Sequence, residues 1–446
     1  MIKRLLVPFL FLPSLLFAES LTTTFSLENG LKLIVKEDHR APIMTTQVWY
    51  KVGSSYEHEG ITGVSHVLEH MMFKGTKKLK ANEFSKIIAA NGGQENAFTS
   101  RDYTAYFQTM SADRLAISFE LEADRMRYLQ LKESEFIKEL NVVKEERRLR
   151  TEDKPTAYAL EQFYATAYRT LPYRHPVIGW MNDLDHLKLT DLAVWYKRWY
   201  APNNATVVVV GDVNAQQVYK LAQQYFGELK PQPFTAPKPA IEVRQQGLVR
   251  LDIKRPAKQP YLLMGYKVPT LATAKEPWEA YALEILAAVL DGGNSARFNK
   301  DLVRGQRIAA SADAGYSLFS RLSSLFTLDG TPTDKHTMQE LETAFLLEIN
   351  KIKQKLVEKE ELKRIISQVV ASIIFEQDSV YQQATQIGML ESVGLDFHLL
   401  ETYVSELKKV TPEQIQQVAK KYLTEDRLTI AKLIPQKIEK QNKGTK

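Results

Sequence analysis

Residues 66–76 read HVLEHMMFKGT, and the chain is best understood outward from them. The first five, His66 to His70, have the spacing H-x-x-E-H. The sequence predicts a helix from about Thr62 to Phe73, with Gly75 as its terminator. On a helix, positions i, i+3 and i+4 share one face. His66 and His70 can therefore hold one metal ion, with the Glu69 carboxylate beside it. In a chain with eight histidines among 446 residues, the spacing arises by accident in roughly one sequence in a hundred, so further residues must decide its meaning.

A catalytic zinc takes three protein ligands and keeps a fourth position open. The third ligand has to come from elsewhere, and a carboxylate suits it. A predicted helix from Glu133 to Arg150 is rich in glutamate. Within it, Glu139 and Glu146 are seven apart and share a face. Phe136, Leu140, Val142 and Val143 are expected to pack the other side. The competing reading of Glu145-Glu146 is a solvated face paired with Arg147 to Arg150.

Composition narrows the setting. The chain is 44% hydrophobic and 25% charged and has no cysteine, which removes thiolate metal sites, cysteine nucleophiles and a disulfide framework. Lys3 and Arg4 precede an apolar run, Leu5 to Phe17, broken by Pro8 and Pro13. Leu16-Phe17-Ala18 resembles a signal-peptide cleavage site. Residues 1–18 are read as an export signal, with the mature chain starting at Glu19 in a bacterial periplasm. Losing Lys3 and Arg4 lowers the formal charge of +6 to +4. So mild an excess does not argue for nucleic acid. No other segment is apolar enough to span a membrane.

The prolines Pro231, Pro233, Pro237 and Pro239 mark residues 229–246 as a linker. It divides an N-terminal domain, 19–228, from a C-terminal one, 247–446. The two look like repeats. Pro42 to Val52 and Pro260 to Val268 each open a half with a strand and end in Tyr-Lys-Val. Leu189-Thr190 and Val410-Thr411 each begin a helix that leads into a strand, Ala205 to Val210 and Arg427 to Leu433. The expected fold is α+β: two homologous halves, each with helices on a largely antiparallel sheet.

The motifs together resemble the pitrilysin-type zinc peptidases, the inverzincins of family M16, in the shorter branch that includes the mitochondrial processing peptidase subunits. The likeness runs from about Thr23 to Pro435. It rests on residues 66–76, on GGQENAFTS at 92–100, on ELNVVKEE at 139–146 and on YAPNNATVVVVGD at 200–212. The resemblance implies two halves that enclose a chamber, and one zinc ion per chain held by His66, His70 and Glu146. It makes Glu69 the general base of a peptide-bond hydrolase and Glu139 a supporting carboxylate. Gln94 to Ser100 would be an edge strand, with Asn96, Ala97 and Thr99 meeting the substrate backbone.

In one place the chain departs from the family. There the second half lends an Arg and a Tyr to the site, and here those positions fall on Val303 and Ala310. Arg304 and Tyr316 lie nearby but do not align. The expectation is a zinc-dependent endopeptidase acting on peptides or unfolded segments, paired with a non-catalytic homologous subunit in a heterodimer, or with itself in a homodimer. The alternatives are an assembly subunit without activity and a processing enzyme for one secreted peptide. His175, His186 and the segment Asp291 to Asn294 are read as structural.

Overall fold

The computed structural model describes residues 22–235, 238 and 240–437, so the expected signal segment and the end of the chain lie outside the described residues. Six strands form one sheet: β1 (Thr22–Ser26), β2 (Lys32–Glu37), β3 (Ile43–Tyr50), β4 (Gln94–Thr99), β5 (Thr104–Ser111) and β6 (Ala205–Gly211). Their order is β1-β2-β6-β3-β5-β4. The second sheet uses β7 (Val249–Pro256), β8 (Tyr261–Val268), β9 (Ala309–Gly315), β10 (Ser324–Pro332) and β11 (Leu428–Gln436). Its order is β7-β11-β8-β10-β9.

Apart from β1, the two orders are the same. In each sheet one pair is parallel, β2 with β6 or β7 with β11, and the other pairings are antiparallel. The two Tyr-Lys-Val endings take equivalent places. Tyr50 lies opposite Ala205 at the start of β6, and Tyr266 lies opposite Leu428 at the start of β11. The fold is α+β with two homologous halves.

Strand β6 reads ATVVVVG and is buried throughout. Its side chains alternate between faces, so each face needs its own cover. Val207 and Val209 join the core of the first half, whereas Val208 and Val210 pack with Ala384, Ile387 and Leu390. Those three belong to the helix Val380–Ser392 of the second half. The exchange is mutual. Leu428 and Ile430 of β11 face the second half's own core, while Ala431 and Leu433 pack with Ala159 and Phe163 of the first half's helix Pro155–Ala167. Glycines allow the close approach. A Cβ on Gly388 would lie 2.1 Å from Trp49 Nε1, and one on Gly265 would lie 2.6 Å from Phe163 Cζ.

The described residues of 229–246 form neither helix nor strand, yet they are anchored. Glu242 accepts the backbone N–H groups of Arg169, Thr170 and Leu171 at 2.9–3.0 Å and the Lys267 ammonium at 2.6 Å. Among the described residues, no helix is long and apolar enough to cross a membrane.

Candidate metal centre

The motif helix spans Val64–Met71 and buries Val67, Leu68 and Met71, leaving His66, Glu69 and His70 half-buried on the other face. Its entry is fixed by two carboxylates. Glu57 accepts N–H bonds from Gly63 (2.7 Å) and Ser65 (2.9 Å) at the helix start, where backbone donors lack partners. Asp183 holds Gly60 N and Thr62 N, each at 3.2 Å, and the Thr62 hydroxyl at 2.5 Å. Gly63 has φ +89°, and a Cβ there would lie 2.7 Å from Ile178 O, so glycine is required. Neither Glu57 nor Asp183 stood out in the sequence, because one lies outside the motif and the other is 121 residues from Thr62.

The second helix spans Glu133–Arg147 and passes into a π-helical turn, Arg148–Glu152, instead of running regularly to Arg150. Phe136, Leu140 and Val143 are buried, but Val142 is 48% exposed. It lies two residues from Leu140, about 200° around the axis, and so faces outward. The adjacent glutamates divide the two readings between them. Glu145 is exposed and pairs with Arg148, whereas Glu146, with a 16% exposed side chain, faces the histidines.

His66 Nε2 lies 3.9 Å from Glu146 Oε1, and His70 Nε2 lies 3.5 Å from Glu146 Oε2. One ligand atom from each of the three residues falls within 4.8 Å of the others. Two donors each about 2.1 Å from a tetrahedral zinc are about 3.4 Å apart, so the set fits that ion in type and spacing. Burial pushes the His66 imidazole down to about 3, which keeps it neutral, the state of a metal ligand. Glu139 bridges Lys74 Nζ (2.8 Å) and His70 Nδ1 (3.2 Å), orienting the ring so that Nε2 meets Glu146. Arg150 Nη1 reaches Glu146 Oε1 at 2.7 Å.

Glu69 shares the motif helix without joining the ligand set, and burial raises its carboxyl. The Thr99 hydroxyl donates to it at 2.5 Å. Thr99 therefore touches Glu69, the expected base, through its side chain, a contact its sequence assignment to the substrate backbone did not include. Asn82 precedes the helix Glu83–Ala90 at φ 63°, and from that left-handed conformation its side chain makes no capping bond.

Among the described residues, strand β4 pairs only with β5 and forms an edge of the sheet. Ser100 N–H donates to Tyr103 O at 2.8 Å. Hydrogen-bonded pairs alternate along an antiparallel ladder, so they continue at Phe98 and Asn96. The backbone groups of Thr99, Ala97 and Glu95 then point off the edge. The Asn96 side chain covers one of them, accepting the Ala97 N–H at 2.9 Å.

Beside this edge lies a cleft of about 630 Å³ lined by first-half residues, among them His66, Glu69, Ala97, Arg101, Glu146 and Tyr164. Val303 packs against the second core and Ala310 is exposed on β9. Arg304 donates to Asn294 O, and Tyr316 donates to Pro269 O at 2.7 Å. None of the four lines the cleft. An adjoining hollow of about 480 Å³ between the halves contains Tyr316 and also Thr99, Arg101 and Tyr164. There Asp102 joins the halves, accepting Arg321 Nε (3.1 Å) and the hydroxyls of Ser55 (2.7 Å) and Tyr173. His175 is buried near Glu59, and His186 is exposed with Nδ1 on Asn182 O; neither joins the metal cluster.

Residues 32–179 match Insulinase (Peptidase family M16), and residues 186–369 match the Peptidase M16 inactive domain. The chain is 34% identical over 417 residues to the "Zinc protease PqqE" of Helicobacter pylori, covering 92% of each chain. It resembles the crystal structure of a protease from Helicobacter pylori with a TM-score of 0.88 and 32% identity, covering 93% of this chain and 100% of that one. The first half of the periplasmic protease PqqL of Escherichia coli shares the fold at a TM-score of 0.77 and 18% identity, covering 94% and 92%. With two models of the family matched in order along the chain and a relative 34% identical that carries the name zinc protease, the chain belongs to the M16 peptidase family.

Proposed function

We propose that this protein is a zinc-dependent endopeptidase that cleaves peptides or unfolded segments outside the cytoplasm. The observation that carries this reading is the convergence of His66, His70 and Glu146, with Glu69 on the same helix and an open strand edge alongside. His66, His70 and Glu146 would hold one zinc ion per chain. When bound, the ion supplies Lewis acidity and lowers the pKa of a water to about 7.

The remaining work belongs to the chain. The free backbone groups of β4 align an extended peptide by adding it as a strand. Displacing the Asn96 carbonyl frees the Ala97 N–H for that contact. Glu69 takes the proton of the attacking water and hands it to the departing amide nitrogen. The Thr99 hydroxyl keeps the carboxylate aimed during both transfers. The cleft and adjoining hollow, about 630 and 480 Å³, admit an extended segment and exclude a folded domain.

We assign the chain to a heterodimer, as its zinc-bearing subunit. Val303 and Ala310 bring no Arg or Tyr to the cleft, so a non-catalytic homologue would supply those groups. Residues 1–18 direct export, in keeping with the periplasmic structural relative. The division at 229–246 separates a zinc-bearing half from one without metal. The test is metal analysis with peptide cleavage. One zinc per chain, retained in Glu69→Gln while cleavage disappears, supports the reading; no zinc, or cleavage that survives the change, overturns it. For the pairing, the isolated chain should bind zinc but cleave peptides poorly, and high activity alone would refute it.

A further inference from the structure

Arg101 sits at the tip of the β4–β5 hairpin, two residues past Thr99. Its guanidinium lies 4.2 Å from the centre of the Tyr164 ring and 5.5 Å from that of Tyr173. Its carbonyl accepts Ser55 N–H at 2.7 Å, which fixes the backbone beneath the side chain. Among the described residues, its side chain makes no ion pair or hydrogen bond. Nearby carboxylates are already engaged. Asp102 is held by Arg321, Ser55 and Tyr173. Glu161 is bidentate to Arg147 at 2.7 and 2.9 Å, Glu59 lies 3.5 Å from His175, and Glu146 pairs with Arg150.

Arg101 also lines both the metal cleft and the hollow between the halves. Among the described residues, Arg174, a second cation of the cleft, donates only to the backbone carbonyl of Arg169, at 3.1 Å. Away from the metal-site groups, the charge without a carboxylate partner is therefore positive. It lies along the path of a peptide added to β4. A guanidinium stacked on aromatic rings keeps its edge free and pre-oriented for two parallel bonds to a carboxylate.

We propose that Arg101 is a specificity-determining residue that receives a carboxylate of the bound peptide, so that the site selects acidic substrates. This rests on the peptidase reading above. The carboxylate comes from an Asp or Glu side chain or from the free C-terminus, two sources with one chemistry. Tyr164 and Tyr173 act as the platform that holds the guanidinium edge-on to it.

The experiment measures binding of fluorescent peptides to the zinc-loaded full chain carrying Glu69→Gln, which prevents turnover. Matched peptides carry Glu or Gln at one position, each with a free or an amidated C-terminus. The Glu or free-terminus peptide should bind about tenfold or more tightly than its neutral partner, and the matched pairs identify which source is read. Arg101→Gln should bring that ratio to about one. Arg101→Glu should reverse it in favour of a Lys peptide, an outcome that simple unfolding cannot produce. Equal binding of charged and neutral peptides, with zinc in place, overturns the Arg101 assignment alone. A retained acidic preference without zinc overturns the peptidase reading alone. No peptide binding at all overturns both.

Discussion

The two halves share a strand order but use it differently. After β3 comes the helix Val64–Met71, which leaves His66, Glu69 and His70 open to a cleft. After β8, at the equivalent point, comes the helix Pro277–Asp291. It buries Leu283, Ile285, Leu286, Val289 and Leu290, and its Glu284 carboxyl, pushed up to about 7 by burial, joins no cluster of metal-ligating groups among the described residues. The edge strands differ too. β4 passes from an open edge to Thr99 and Arg101, whereas the matching β9 presents Ala310. One backbone plan thus supports a candidate metal centre or an apolar layer, and side chains alone decide which.

The largest expected effect is chemical. In the proposed heterodimeric peptidase, Glu69→Gln should lower kcat by about a thousandfold or more while metal analysis still finds zinc. An equal loss from a carboxylate change in the second half, such as Glu284→Gln, would break the comparison. Next is the exchange of helices. Phe163→Ala removes a fully buried ring from the second half's sheet and should cost about 3 kcal/mol or more in denaturant unfolding. If only the first half lost stability, the halves would not be coupled as described.

A third effect concerns the anchored connection. The three backbone N–H groups and Lys267 hold the Glu242 carboxyl down at about 2, below the usual value of 4.5. Its stabilisation is complete above the unfolded value and is lost as pH falls from about 4.5 to about 2, a contribution of up to about 3 kcal/mol. Glu242→Gln should lower the Tm at neutral pH and flatten that acid limb in thermal scans. Smaller again is Glu139→Gln, expected to weaken zinc binding about tenfold to a hundredfold in a chelator competition, since only the orientation of His70 is disturbed. Smallest is Arg304→Ala, expected to change kcat/KM by less than about twofold because the side chain is exposed and outside the cleft. A large loss there would restore the aligned block around Val303 to the active site.

Much of this was readable in order along the chain. His66, Glu69 and His70 lie within one turn, so helical periodicity alone put them on a face. The repeat was legible at Tyr50 and Tyr266 because equivalent strands need equivalent partners, Ala205 and Leu428. Local pattern could not separate Glu145 from Glu146, since both suit an amphipathic helix. The resemblance favoured Glu146, and the structure gives the reason: the helix turns Glu146 toward the histidines and Glu145 toward solvent.

What the sequence by itself determined was the family, the α+β class, the duplication and the residues brought together at the candidate centre. Each follows from short-range spacing or from long motifs kept in order. Only the tertiary structure decided which residues hold that centre in place: Glu57 and Asp183 at the helix entry, and Thr99 on Glu69. The same holds for the exchange through Phe163 and Gly388, and for Arg101 on its tyrosines. These contacts join residues far apart in the chain, and their strength depends on burial and distance, quantities that exist only after the chain has closed on itself.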